Sequence, residues 1–282
     1  MIFEKKFWKE LFTEFSNDDV TGLAAQLSYF FLLSLFPLLI FLLSLVSFLP
    51  VTQDDIFNML QEYLPPNTQD LIQNNVQQVI DGGGGGLLSF SIIGTIWSAS
   101  VGVNALLRSF NRAYEIEETR SFIVARTLSI GLTLLVLFLI AVALMVPVFG
   151  RLLGEYVFGM IGLSEQFVQI WFVIRWILTA LILIVVLTIL FFIGPNKKLK
   201  LVHTLPGATV ATIGWMLTSW GFSYYVSNFG NYSATYGSLG GIIVLMVWLF
   251  LSGMMIIIGG EVNAILDRHN RRLLSRKKQI PE

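Results

Sequence analysis

Six long apolar runs divide the chain, and its polar stretches fall between them. The runs cover about 22–49, 87–107, 128–149, 167–194, 206–227 and 240–266. A helix needs roughly 20 predominantly apolar residues to cross a bilayer. Backbone groups in hydrocarbon must be satisfied within the spanning segment, and a helix does this. The pattern therefore predicts an all-α, polytopic membrane protein with six transmembrane helices in a single membrane domain over 1–282. The first run far exceeds the roughly 7–15-residue core of a signal peptide, so it is expected to remain as a span.

The stretches between the runs have patterns of their own. Over 3–16, Phe3, Phe7, Trp8, Leu11, Phe12 and Phe15 recur at helical spacing, with Lys5, Lys6, Lys9, Glu10 and Glu14 elsewhere. This predicts an N-terminal helix that either lies in the membrane interface or packs against the inner face of the bundle. Asn17, Asp18 and Asp19 offer caps for the first span. Pro37 lies inside that span. Proline removes a backbone donor and crowds the carbonyl four residues back, so a kink is expected near Leu33. The segment 50–86 reads as an extracytoplasmic helical loop. It holds two short amphipathic stretches split by Pro65–Pro66, and it ends in a five-glycine tether, Gly82 to Gly86.

Small residues mark the faces where helices can approach closely. Gly94, Ser98 and Gly102 recur every four residues in the second span. Gly207, Ala211, Gly214, Thr218 and Gly221 make a similar stripe in the fifth. Both predict close helix–helix contact. Pro206 reads as a first-turn proline that opens the fifth span. Aromatic residues from Trp220 to Tyr236 suggest an interfacial belt at the other end of that span.

Charge then orients the chain. Sixteen of the eighteen Lys and Arg residues lie in segments of one parity. They are Lys5, Lys6 and Lys9 before the first run, and Arg108, Arg112, Arg120 and Arg126 after the second. Lys197, Lys198 and Lys200 follow the fourth run, and the remaining six lie in the basic tail 267–282. By the positive-inside rule these segments, and both termini, are cytoplasmic.

Composition narrows the chemistry. Mean hydropathy is +0.74, and charged residues are only 13%, against about 25% in soluble domains. Net charge is zero, so nothing points to nucleic acid. Cysteine is absent and there are two histidines, His203 and His269. No metal centre or cofactor is expected from that set. Phosphate-binding loops, nucleophile elbows and zinc helices are missing from the sequence, and the chain is not expected to be an enzyme.

Charges inside a span are costly and so mark candidate sites. Arg175 lies in the fourth run and Glu261 in the sixth. Arg175 can snorkel outward past Trp171, Phe172 or Trp176, or it can face a cavity and bind an anionic group. Glu261 can reach the inner interface, or it can form a proton or cation site helped by Asn104 and Asn263. Both asparagines can equally be interhelical glue. The two asparagines also belong to a short internal similarity. Val103 to Arg112 matches Val262 to Arg271 at six of ten positions, which a shared helix-exit composition can also explain.

Several segments together resemble the YihY/BrkB family of membrane proteins. They are Ala25 to Pro37, Trp97 to Gly102, Pro206 to Ala208, Tyr236 to Gly240 and Gly259 to Ala264. The resemblance spans essentially the whole chain. It implies a six-span bacterial inner-membrane protein with a helical extracytoplasmic segment after the first span. It also implies a transporter-like or envelope role. An old ribonuclease label accompanies the family; the two histidines and the lack of a basic surface speak against it. The resulting expectation is a transporter or lipid-handling protein. Its partners would be membrane lipids, with an anionic amphiphile or small solute near Arg175. The alternative is a non-transporting scaffold for envelope assembly. Oligomeric state is not legible.

Overall fold

A computed structural model describes residues 5–46, 85–138, 164–229 and 237–278. The expected outer helices within 50–84, and Arg151, lie outside the described residues. Every regular element among them is helical. We number the helices α1 (Lys5–Asn17), α2 (Val20–Val46), α3 (Gly85–Ala113), α4 (Phe122–Phe138), α5 (Ser164–Ile193), α6 (Leu201–Phe229) and α7 (Gly240–Lys278). A single 3₁₀ turn, Gly237–Leu239, precedes α7. Within α2, α3, α5 and α7 lie four segments long and apolar enough to cross a membrane.

Two compact units are distinguishable. One comprises residues 30–101. There α2 runs through Pro37 as helix, and a Cβ built on Gly94 would sit 3.4 Å from the Pro37 Cβ, an ordinary contact. The other unit comprises residues 1–29 and 102–282, and it holds the site described below. In it α7 packs most extensively on α6, which also packs on α5, while α1 lies on α7.

The helix α1 uses both of its faces. Phe7 and Leu11, four residues apart, are buried against Val262 and Ile265 of α7. On the other side Trp8 and Phe12 are 54% and 78% exposed. The helix therefore docks on the bundle and still offers aromatic side chains to its surroundings, so the two readings of this segment are compatible. At the α1–α2 elbow the cap is Asp19. Its Oδ1 accepts from the Gly22 N–H at 3.2 Å, and its φ is 51°.

Several helices extend past the apolar runs. Gly85 and Gly86, expected in a tether, form the start of α3. The basic tail continues α7 as helix to Lys278. α3 ends in a left-handed turn at Glu115, φ 54°. There Ile116 N–H donates to Asn111 O at 3.0 Å and Glu115 N–H to Arg112 O at 2.9 Å. This paired closure is usually built on glycine. The α5 C-terminus is closed by Arg120, whose guanidinium donates to the carbonyls of Ile193, Gly194 and Pro195.

The largest departure concerns Pro206. It does not open α6; the helix starts at Leu201 and carries Pro206 in its interior. Proline has no N–H to give the carbonyl four residues back, and its ring disturbs the ladder beside it. Asn263 of α7 spans the damaged turn. Its Oδ1 accepts from Gly207 N–H at 2.8 Å, and its Nδ2 donates to Thr204 O at 3.0 Å. All of this is buried. Freed backbone groups in an apolar bundle need such partners. Here a side chain of the neighbouring helix bonds two groups beside the proline, Gly207 N–H and Thr204 O, while the carbonyl that lacks the proline's donor is that of Val202.

Candidate functional site: a buried carboxylate at the basic end of the bundle

The α1–α2 elbow, the α3–α4 turn, the α5–α6 turn and the late turns of α7 meet at one end. Arg112 Nε lies 3.3 Å from Asp18 Oδ1, and Arg112 Nη2 donates to Asn17 O at 2.8 Å. Arg268 pairs with Glu115 and lies 3.1 Å from Glu14 through Nη2, off line for a hydrogen bond. Lys197 Nζ is 2.9 Å from Asp267 and 4.7 Å from the centre of the Tyr114 ring. Asn196 ties the α5–α6 turn to Asn111 and Thr119. Burial, with the Asp267 carboxylate beside it, pushes the Tyr114 phenol above its usual range. Tyr114 thus stays a neutral ring under the ammonium.

Beneath this network lies Glu261, with none of its surface exposed. Neither carboxyl oxygen has a hydrogen-bond partner among the described residues. Such groups are rare in packed interiors, because an unsatisfied buried polar atom costs about 1–3 kcal/mol, and more if charged. A Cβ on the adjacent Gly260 would meet Phe110 at 2.9 Å, and Phe110 stacks edge-on with Phe191 at 5.0 Å. Asp18, at the elbow, adds a negative charge near Glu261. Glu14 adds a negative charge nearby and Arg268 a positive one.

The residues singled out from the sequence have different neighbours among the described residues. Asn263 is committed at both ends to α6. Asn104 accepts a long bond, 3.4 Å, from Ser129 Oγ of α4. Each half of the short internal similarity thus contributes an asparagine to a neighbouring helix. Arg175 lies eighteen residues before the end of α5 at Ile193, roughly 27 Å along the axis, and its side chain lies outside the described residues. Glu261 has charged groups in its surroundings that sequence reading missed: Asp18, Glu14 and Arg268. The signal was present. Asn17, Asp18 and Asp19 are three polar residues before a span that needs one cap. Asp19 caps, and Asp18 is the surplus.

The packing glycines also separate. A Cβ on Gly207 would lie 2.1 Å from the Gly259 carbonyl oxygen, and one on Gly259 would lie 2.6 Å from the Gly207 oxygen. The α6 and α7 backbones touch there. At Gly214 the neighbour is the Met255 sulfur at 2.9 Å, and at Gly221 no described atom comes within 4 Å. Gly102 is buried, and Ser98 is partly so. Further along the same interface the Trp215 ring N–H donates to Ser252 and that of Trp248 to Ser219.

No group of His, Cys, Asp or Glu among the described residues is arranged to hold a metal ion. An open apolar groove of about 560 Å³ lies along α4, lined by Val124, Leu128, Gly131, Leu132, Leu135 and Ile193.

Comparison with known proteins places this architecture. The chain is similar to the ribonuclease-like protein YfkH of Bacillus subtilis (strain 168), with 50% identity over 265 residues, 94% of this chain and 96% of that protein. It is 25% identical over 268 residues to a UPF0761 membrane protein of Aeromonas salmonicida (strain A449), covering 94% and 90% of the two chains. A UPF0761 membrane protein of Vibrio parahaemolyticus serotype O3:K6 is 29% identical over 270 residues, 92% and 82% of the two. No solved structure matches. The family model for virulence factor BrkB matches residues 11–281. Its match takes in the elbow, the Pro206 turn and the Glu261 helix alike, and this multi-pass helical membrane protein belongs to the BrkB family.

Proposed function

We propose that the protein is a transporter or lipid-handling protein of the bacterial inner membrane, with Glu261 as its working carboxylate. The six apolar runs cross the membrane, both termini lie in the cytoplasm, and the chain is not an enzyme. One observation carries the reading. Glu261 is fully buried in an apolar helix with both oxygens unpartnered among the described residues. Such a group weakens the fold, and ionisable residues within spans mark ion, proton or substrate pathways. The apolar groove along α4 adds support for lipid handling, since its walls suit an acyl chain. A scaffold role draws support from Asn104 and Asn263, both engaged with neighbouring helices.

The two readings part on Glu261→Gln. Glutamine keeps the shape and an acceptor oxygen but carries no ionisable proton. Wild-type and variant protein would be reconstituted in phosphatidylethanolamine–phosphatidylglycerol vesicles. Scrambling of a fluorescent phosphatidylglycerol and proton flux reported by an entrapped dye would then be followed. Transport predicts wild-type flux, with normal accumulation and lost flux in the variant. An active variant removes Glu261 from the mechanism. Absence of both fluxes in the wild type, with the variant restoring any null-strain phenotype, favours the scaffold.

A further inference from the structure

The helix α4 has a packed side and an open one. Ser129 and Thr133 are buried, and Ser129 Oγ donates to Asn104 of α3. Off that side, Thr127, Gly131 and Leu135 recur every four residues and line the apolar groove, together with Ile193 at the end of α5. Gly131 is exposed, and a Cβ built on it would meet no described atom within 4 Å. Bare backbone therefore forms part of the groove, and a slender chain can lie close to it.

The length and lining of the groove select its ligand. Ile123 and Leu135 mark its extent along α4, twelve residues or roughly 18 Å along the axis. That is close to the depth of one leaflet, half of a hydrocarbon core of roughly 30 Å. Thr127 brings a hydroxyl, and the other lining side chains are apolar. A hydrated solute would lose its water there without compensation. An acyl chain gains dispersion contacts along the whole length.

The mouth of the groove is basic. Just before α4 the α3–α4 turn is tied to the α5–α6 turn. Arg120 Nη1 donates to Gly194 O at 3.1 Å, and Asn196 Nδ2 donates to Thr119 Oγ1 at 2.6 Å. These two turns carry Arg120, Lys197, Lys198 and Lys200 against Glu117 and Glu118. Lys197 is held by Asp267, and Arg120 is engaged with backbone carbonyls. Lys198 and Lys200 are exposed. An apolar groove that opens beside exposed ammonium groups is complementary to a molecule with an anionic head and an apolar tail.

We propose that this groove seats one acyl chain of an anionic phospholipid, whose phosphate is met by Lys198 and Lys200. The lipid belongs to the leaflet at the basic end of the bundle. The inference rests on the lipid-handling reading and deepens it, naming the lipid class and its place. It is measured as binding, not as flux.

Full-length protein in a mild non-ionic detergent would be titrated with dioleoyl phosphatidylglycerol or dioleoyl phosphatidylethanolamine, and bound lipids counted by native mass spectrometry. We expect the first phosphatidylglycerol to bind at least about fivefold tighter than phosphatidylethanolamine, the factor for one basic residue beside an anionic headgroup. Lys198→Gln and Lys200→Gln should each weaken it by roughly that factor. Gly131→Leu fills the groove and should remove the first bound lipid. Ile193→Trp fills it from α5, and it covers the case in which Gly131→Leu lowers thermal stability. Leu134→Phe, at an exposed position of α4 outside the lining, should bind as the wild type does. Equal binding by the wild type and both filled variants overturns the proposal, because the lipid then coats the surface at large. Equal affinity for the two lipids overturns the anionic class and the proposal with it. A dimer that a filled variant splits assigns the groove to a second copy, which also overturns it. Scrambling in vesicles without groove-dependent binding rejects the groove and leaves the transport reading standing; groove-dependent binding without flux does the reverse.

Discussion

Gly207→Ala should abolish most of the folded protein, although it adds one methyl group. That methyl would sit 2.1 Å from the Gly259 carbonyl oxygen and 2.4 Å from Asn263 Nδ2. The obstacle is backbone, so no rotamer change relieves it, and α6 must move off α7. Overpacking of a tight core typically costs about 1–3 kcal/mol, occasionally more. Here it also breaks the bonds from Asn263 across Pro206, so a loss of at least about 3 kcal/mol is expected. Two neighbouring positions calibrate the effect. At Gly214 the obstacle is the sulfur of Met255, the far end of a flexible side chain, and Gly214→Ala should cost little. At Gly221 no described atom lies within 4 Å, and Gly221→Ala should be neutral. Membrane accumulation and thermal stability in detergent, measured for the three variants together, check the order. Equal behaviour of Gly207→Ala and Gly221→Ala would show that α6 and α7 do not touch as described.

Asn263→Ala should destabilise the protein by about 1–3 kcal/mol, because it removes two buried hydrogen bonds to α6, each worth roughly 0.5–1.5 kcal/mol. The Gly207 N–H and the Thr204 carbonyl lose their bonds together. Asn263→Asp should fare no better. It keeps an acceptor for Gly207 N–H but loses the donor to Thr204 O, and it sets a buried carboxylate against that carbonyl. The cause of this dependence is Pro206, and a double-mutant cycle exposes it. Pro206→Ala restores a backbone donor and lets the α6 ladder close on itself. The loss on Asn263→Ala should therefore be clearly smaller in the Pro206→Ala background. Additive losses would mean that Asn263 does not serve the proline turn.

Particular residues show where sequence reading stops. Pro206 has the signature of a first-turn proline, since polar residues and lysines precede it. Local pattern cannot reveal that Asn263, more than fifty residues later, repairs the turn and lets the helix begin at Leu201. Asn263 itself reads as an intramembrane polar residue beside Glu261, and its neighbour in sequence is not its partner in space. Likewise the small-residue stripe of α6 marks a face but not the point of contact. Gly207 touches backbone, while Gly221 meets no described atom, and both fit the same spacing. The register between two helices decides which glycine bears the load.

What the sequence determines on its own is local and additive. Hydropathy accumulates residue by residue, so the apolar runs, the all-helical class and the membrane setting follow from composition along the chain. The matching motifs, read in order, identify the family. Helix limits follow less well. An apolar run ends where the hydrocarbon would end, but the backbone ladder continues while its carbonyls find donors, as α7 does to Lys278. What the tertiary structure alone decides is pairing. It leaves Glu261 without a bond among the described residues, commits Asn263 to α6, and brings Arg112 to Asp18 and Arg268 to Glu14 and Glu115 from other segments. Each of these depends on distances between residues far apart in the chain, and those distances are set by how helices pack, which no single segment encodes.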